Sequence, residues 1–379
     1  MITVADYVVD FLSQKKIKHI FTVSGGGSIF LCDSLKRSKS VKYISCHHEQ
    51  AVSFAAESYA RETNKISGAI VTTGPGGTNA ITGVASCWID SIPTIFISGQ
   101  VFLNQTIQNT GLRQLGVQEI DIISLVKPIT KYSKMIDDVR SIKYHFEKAY
   151  YEAISGRPGP VWIDIPANIQ SSFINVEKLK GYSPKKQIKK IPKNLDEKIT
   201  KIAKLLVNSK RPLLHLGQGV KLSGSVNKFE SFINKLSIPF ALTWNASDLI
   251  PSNNKNYIGR PGAFAERGSN FIVQNCDLFL SIGSRLPFMV TGYNSKDFAR
   301  NAYRVTVDID INEVNKKTLD FDLRLPCDAK TFIENLSKKI DEFKVSKKWH
   351  NYCNFIRKKY PIVLDYYKKS KNYVNSYYF

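Results

Sequence analysis

The sequence predicts an α/β protein made of two consecutive doubly wound parallel-sheet domains. Three observations lead there. Short, wholly apolar runs alternate with stretches of helical spacing over residues 1–170, and the same alternation starts afresh near residue 195. The length of 379 residues is about two and a half times that of one typical domain. Apolar strands separated by helices belong to a parallel sheet covered on both faces.

The elements follow in chain order. TVADYVVDFLSQKKI has the apolar spacing of an amphipathic helix, and HIFTVSG is a short buried strand ending in Gly25-Gly26-Gly27. VKYISC is a strand and EQAVSFAAESYARET a helix. GAIVTTG is a strand stopped by Gly-Pro-Gly-Gly, after which TNAITGVASCWID is helical. TIFISGQ is a further strand, and VWIDIP closes the set after the turn signal GRPGP. Residues 171–194 lack such a pattern and are rich in Lys, Ser and Pro, as a linker is. The second series, 195–345, runs helix 198–206, strand PLLHLGQG, helix KFESFINKL, strand IPFALT, helix 269–275, strands DLFLSIGSR and RVTVDID, and a closing helix 331–343. Residues 346–379 are aromatic and lysine-rich, with helical spacing and no third set of strands.

Composition narrows the class. Hydrophobic residues make up 43% and charged residues 23%, which excludes a disordered tail, a collagen-like fibre and a disulfide-stapled miniprotein. No run approaches the roughly 20 apolar residues that span a bilayer. Asp6 and Asp10 stand where a signal peptide carries basic residues, so the expected location is cytoplasmic. The six cysteines show no CxxC and no metal-ligand spacing. The net charge of +22 comes mostly from lysines around 176–211 and 338–371, interleaved with acidic and apolar residues. A nucleic-acid protein clusters arginines and aromatics on one element instead, so no nucleic-acid partner is expected.

Two motifs carry candidate chemistry. Glu49 opens a helix directly after a strand. It is either a first-turn acid suited to the helix dipole or a carboxylate at the sheet edge where open α/β folds bind ligands. Thr72–Asn79, TTGPGGTN, is a strand, a glycine turn and a helix start, which lets a ligand approach backbone N–H groups. It lacks the spacing of both GxGxxG and the P-loop. Gly25-Gly26-Gly27 is a similar turn one strand earlier, and either turn also serves simple packing.

Taken together, HHEQAVSFAAESYAR, TTGPGGTNAITGVASCWIDSIPTIFISGQV, LGVQEIDIISLVKPITKY and SGRPGPVWIDIPANIQ resemble the N-terminal pyrimidine-binding domain of thiamine-diphosphate enzymes of the acetolactate synthase and pyruvate oxidase group. RPLLHLGQGV, IPFALTWNASDLIP, GRPGAFAERGSNFIVQNCDLFLSIGSRL and VTVDIDINEVNK resemble their central domain. The resemblance implies thiamine diphosphate with Mg²⁺ as cofactor and a small-molecule 2-keto acid as substrate. The two-carbon unit left after decarboxylation would pass to a second 2-keto acid or a keto sugar. It implies a homo-oligomer, dimer or tetramer, in the complete enzyme. Glu49 becomes the catalytic carboxylate: hydrogen-bonded to N1′ of the aminopyrimidine, it favours the imino tautomer whose N4′ removes the C2 proton. An apolar pocket suits that acid–base work. Glu49→Gln is accordingly expected to leave the fold intact and abolish C2 proton exchange in the complete enzyme.

By the same resemblance Gly25, Thr73, Pro75, Asn79 and Gln118 bind the thiamine cofactor. Val117 stands before Gln118 where relatives often carry Phe or Leu, which leaves the acceptor pocket open. For FAD in the central domain the matching positions are Arg157, Gly217, Gly219, Gly262, Gly283, Arg285 and Asp308, although Phe288 and Met289 stand near where a second arginine is usual. The family's third domain binds the diphosphate through Mg²⁺ with a GDG signature, and this sequence holds no GDG. Residues 346–379 read as a helical lead-in to that absent domain, and the chain by itself is expected to be inactive. A fragment, an interrupted gene and a split enzyme are the three explanations. Two other classes stay open: a non-catalytic homologue that keeps the fold, and a basic nucleic-acid-binding protein.

Overall fold

The computed structural model describes residues 1–108, 110–184, 194–340, 342–369 and 371–379. The chain divides into two compact units, Met1–Ile188 and Lys189–Phe379.

The first unit begins with β1 (Ile2–Thr3), α1 (Val4–Gln14), β2 (His19–Thr22), α2 (Ile29–Arg37), β3 (Lys42–Ser45), α3 (Glu49–Thr63), β4 (Ser67–Val71), α4 (Pro75–Asp90) and β5 (Thr94–Gln100). It continues with α5 (Ile122–Val126), β6 (Tyr132–Met135), α6 (Ile142–Ile154), β7 (Val161–Pro166), α7 (Ala167–Gln170) and β8 (Phe173–Ile174). Among the described residues six strands form a sheet in the order β3-β2-β4-β5-β7-β6, every pairing parallel. The alternation of side chains along each strand feeds two cores. Ile70, Ile95, Ile97, Val161, Ile163 and Ile165 join one layer. Ala69, Val71, Phe96 and Trp162, their strand neighbours, join the other, with the aromatic pair stacked at 5.5 Å. Strands buried on both faces therefore read as continuous apolar runs.

The second unit holds α8 (Leu195–Asn208), β9 (Pro212–Leu216), α9 (Gly219–Leu222), α10 (Val226–Leu236), β10 (Phe240–Leu242), β11 (Tyr257–Gly259), α11 (Arg267–Asn275) and β12 (Leu278–Ile282). Then come α12 (Phe288–Thr291), β13 (Tyr303–Asp308), α13 (Ile311–Asn315), β14 (Leu323–Pro326), α14 (Ala329–Leu336) and α15 (Lys347–Lys359). Its described strands form a second parallel sheet, β11-β10-β9-β12-β13-β14. Both sheets reverse their winding between neighbouring central strands, β2 and β4 in the first and β9 and β12 in the second. Such switch points open a crevice at the carboxyl ends of the strands.

Two segments depart from the sequence expectation. The first part of the expected linker is fastened to the first unit. Phe173–Ile174 pairs antiparallel with Ile2–Thr3, and the Tyr182 N–H donates to Glu147 Oε2 at 2.6 Å while its ring meets Tyr144 edge-on. Residues 185–193 of that linker lie outside the described residues. At the other end, α15 docks on the second core through buried Trp349, Cys353 and Ile356, and the indole donates to the Pro212 carbonyl at 3.1 Å.

Candidate active site

The crevice of the first unit gathers most of the residues that the sequence singles out there. Glu49 is the first residue of α3, behind His48, whose ring nitrogen accepts the Gln50 N–H at 3.1 Å. This cap places the half-buried Glu49 carboxylate above the carboxyl end of the sheet. Asn79, one turn into α4, donates from Nδ2 to Glu49 Oε2 at 3.0 Å. The facing oxygen looks toward Gly76, where a Cβ would come within 3.6 Å of it and 2.7 Å from the Thr72 methyl.

The loops around this carboxylate touch closely. A Cβ at Gly25 would meet Thr72 at 2.5 Å, and the Gly27 N–H donates to the Thr72 hydroxyl at 3.1 Å. Gly74 has φ +55, and a Cβ there would overlap the Gln118 carbonyl. Gln118 is thus laid directly on the Gly74–Pro75 turn, itself at φ +59, a conformation that costs a non-glycine residue on the order of 1–3 kcal/mol. Its neighbour Glu119, 3% exposed, holds that shape by accepting the Ile107 N–H at 2.7 Å and the Leu115 N–H at 3.2 Å. Pro75 begins α4, as suits a residue with no N–H to leave orphaned. Thr73, 6% exposed, donates its hydroxyl hydrogen to the Gln100 side chain.

Glu49, Asn79, Thr73, Pro75, Gly25 and Gln118 therefore converge on one sheet edge. Sequence reading missed Gln100 and Asp164, which lie behind that edge. The available signal is a polar or charged side chain inside a mostly apolar buried strand, in TIFISGQ and VWIDIP.

In the second unit the crevice lies between β9 and β12. A Cβ at Gly217 would overlap the Gly283 carbonyl, and one at Gly219 would meet Gly283 Cα at 2.7 Å. These glycines are demanded by loop-on-loop packing. Gly262, at φ +141, lies against the Met289 carbonyl, bracketed by the Asn270 amide. Gln218, between two of the glycines, carries a buried Oε1 with no hydrogen-bond partner among the described residues. Arg285 follows β12, and Asp308 ends β13 with its carboxylate accepting the Asp310 N–H at 2.9 Å. Arg157 belongs to the first unit, where its Nε donates to Ser91 Oγ at 2.8 Å, at the end of α4 opposite Pro75.

Comparison with known proteins agrees with this architecture. The family model "Thiamine pyrophosphate enzyme, N-terminal TPP binding domain" matches residues 2–125, and "Thiamine pyrophosphate enzyme, central domain" matches residues 199–336. The chain belongs to the thiamine pyrophosphate enzyme family. It is 31% identical over 341 residues to the acetolactate synthase large subunit of Cyanidium caldarium, covering 88% of this chain and 57% of that protein. It is 33% identical over 356 residues to the corresponding subunit of Buchnera aphidicola from Schizaphis graminum, with coverages of 91% and 60%. A probable acetolactate synthase large subunit of Methanococcus aeolicus is 32% identical over 375 residues, with coverages of 96% and 61%. The chain thus spans about 60% of the length of these members of the thiamine pyrophosphate enzyme family. No helix among the described residues is long and apolar enough to cross a membrane.

Proposed function

We propose that the Glu49 edge holds the aminopyrimidine half of thiamine diphosphate. We further propose that the whole protein is an acetolactate-synthase-type carboligase acting on a 2-keto acid such as pyruvate. One observation carries this reading: a half-buried carboxylate, oriented by the Asn79 amide, facing the backbone of the Gly74–Gly76 turn, on which Thr72 and the Gln118 loop pack closely. A flat heteroaromatic ring with a basic nitrogen fits a crevice walled by glycine backbone and lined by one acid and one amide. Thiamine diphosphate, when bound, would supply a nucleophilic carbon and a cationic ring that takes up the electron pair released on decarboxylation. Glu49 would share a proton with the ring nitrogen N1′, and Asn79 would hold the carboxylate in place for it. Thr73 and Pro75 would wall the ring, and the exposed Gln118 side chain would reach toward substrate.

The names of the relatives support the carboligase activity, and the acceptor we propose is a 2-keto acid or a keto sugar. Among the described residues no three His, Cys, Asp or Glu side chains gather as a metal site. For the second crevice the ligand we propose is FAD. Arg285, Asp308 and the unpartnered Gln218 oxygen support a polar ligand there, and flavin absorbance bands in purified protein would test it. We place the complete enzyme in the cytoplasm as a dimer or tetramer.

The direct test titrates thiamine diphosphate, without metal, into the ¹⁵N-labelled full chain. Amides of Gly74, Gly76 and Asn79 should shift. Glu49→Gln, by removing a hydrogen bond to a charged group, should weaken binding about tenfold or more. Shifts confined to other residues, or unchanged affinity in the variant, would refute the assignment.

A further inference from the structure

Behind the Glu49 edge, β5 and β7 carry polar side chains that the site itself does not use. Ser98 and Asp164 are each 1% exposed and Gln100 is 2% exposed. The Trp162 indole N–H donates to Ser98 Oγ at 2.8 Å, and Ser98 donates to Asp164 Oδ1 at 2.5 Å. Gln100 Nε2 donates to Asp164 Oδ2 at 3.2 Å and to the Ile120 carbonyl at 3.1 Å. Gln100 Oε1 accepts the Val101 N–H at 3.0 Å and the Thr73 hydroxyl hydrogen.

The orientation of the Gln100 amide is forced. The Val101 N–H only donates and the Ile120 carbonyl only accepts, so Oε1 faces the first and Nε2 the second. Thr73 must then donate toward Gln100, and any lone pair it shows the crevice is an acceptor. The same amide grips two loops at once, the one carrying Thr73 and the one running from Gln118 to Ile120. An ionisable side chain at the centre of a doubly buried strand costs several kcal/mol unless its bonds are satisfied. Of the two side chains that satisfy this one, Ser98 ties it to the core indole of Trp162, and Gln100 leads on to the crevice loops.

We propose that Gln100 and Asp164 are positioning residues: a buried relay, Asp164–Gln100–Thr73 with a branch to Ile120, sets the Gly74 turn and the Gln118 loop in register beside Glu49. The inference rests on this edge being the ligand edge, but the relay is a property of the protein alone. Burial pushes the Asp164 carboxyl up to about 7, and the hydrogen bonds from Ser98 and Gln100 pull against that rise. Asp121 and Glu119 are the charged groups that add to the rise. The relay therefore has a titration by which it can be followed.

The experiment is a pH series of ¹H–¹⁵N spectra of the unliganded full chain, with the Trp162 indole signal identified by its loss in Trp162→Phe. The Trp162 indole, Val101 and Gly74 signals should titrate with one common midpoint, and Asp164→Asn should abolish it in all of them. Gln100→Leu should leave the indole titrating and silence Gly74. Thr73→Val, nearly isosteric, should silence Gly74 while Val101 still titrates, and it serves if the leucine variant does not fold. A Gly74 signal that ignores the Trp162 midpoint, or that titrates unchanged in Gln100→Leu or Thr73→Val, would overturn the relay. No ligand is present, so this result is independent of whether thiamine diphosphate binds.

Discussion

Replacing His215 with phenylalanine should flatten the acid side of the second unit's stability profile. His215 sits on β9, fully buried, its ring stacked on Phe279 with centroids 5.5 Å apart. Neither ring nitrogen has a hydrogen-bond partner among the described residues. Burial with nothing to stabilise an imidazolium pushes its pKa from 6.5 down to about 3. Unfolded, the ring takes up a proton near pH 6.5; folded, it stays neutral until about pH 3. The unfolded state binds more protons throughout that window, so stability falls as pH falls. Each pH unit costs about 1.4 kcal/mol, which gives about 2 kcal/mol at pH 5 relative to pH 7. Phenylalanine keeps the ring and its stacking and removes the proton. The assay is urea unfolding of the full chain at pH 7 and pH 5, with hydrogen exchange at Leu213–Leu216 reporting on the second unit. The wild type should lose about 2 kcal/mol more than the variant between the two pH values. An equal loss in both proteins, or a native His215 ring proton that titrates near pH 6.5, would refute the reasoning.

Two further predictions concern the loop over the crevice and the terminal helix. Gly74→Ala places a Cβ against the Gln118 carbonyl and in a positive-φ conformation outside the left-handed helical basin, which alone costs on the order of 1–3 kcal/mol. The Gln118 loop should be displaced, and trypsin should cut after the exposed Arg113 faster than in wild type. Trp349→Ala empties a 3%-exposed site and should cost about 3–5 kcal/mol in urea unfolding. Trp349→Phe leaves the Pro212 carbonyl without its donor and should cost about 1–3 kcal/mol.

How much of this the sequence discloses depends on burial. The central strands β4, β5, β7, β9 and β12 are buried along their whole length and stand out as apolar runs. The edge strand YSKM of β6, none of it fully buried, and the short LRLP of β14 show no such run and escape notice. Helix α4 starts earlier than its glycines suggest. Gly-Pro-Gly-Gly reads as a turn, yet Pro75, Gly76 and Gly77 are the first turn of the helix. The glycines are tolerated there because Thr72 and Ile122 press within 2.7 and 3.0 Å of where their Cβ atoms would lie. Glu49 and Asn79 are each visible in motifs, but their hydrogen bond joins residues thirty apart, and Ser98 and Asp164 are sixty-six apart. A sequence shows which residues are unusual for their surroundings; which of them touch is decided by the strand order.

The two crevices show what separates a ligand edge from a tightly packed turn. Each crevice lies where the winding reverses between neighbouring strands, so two loops leave those strands and must pass within backbone contact. Gly25 against Thr72, and Gly217 and Gly219 against Gly283, meet that demand with or without a ligand. Glycine at a switch point is therefore poor evidence for a cofactor, and the +22 charge of the sequence, spread over lysines elsewhere, adds none. The distinguishing feature is polar side chains brought to the crevice at a cost that packing does not explain. In the first unit these are Glu49 with its Asn79 donor, Thr73 held by a buried amide, and Gln118 in a strained backbone conformation braced by Glu119. In the second unit the unpartnered Gln218 oxygen plays that part. The stronger functional assignment thus belongs to the first unit, where several such costs fall on one edge and a buried hydrogen-bond chain reaches Thr73 and the Ile120 carbonyl from behind.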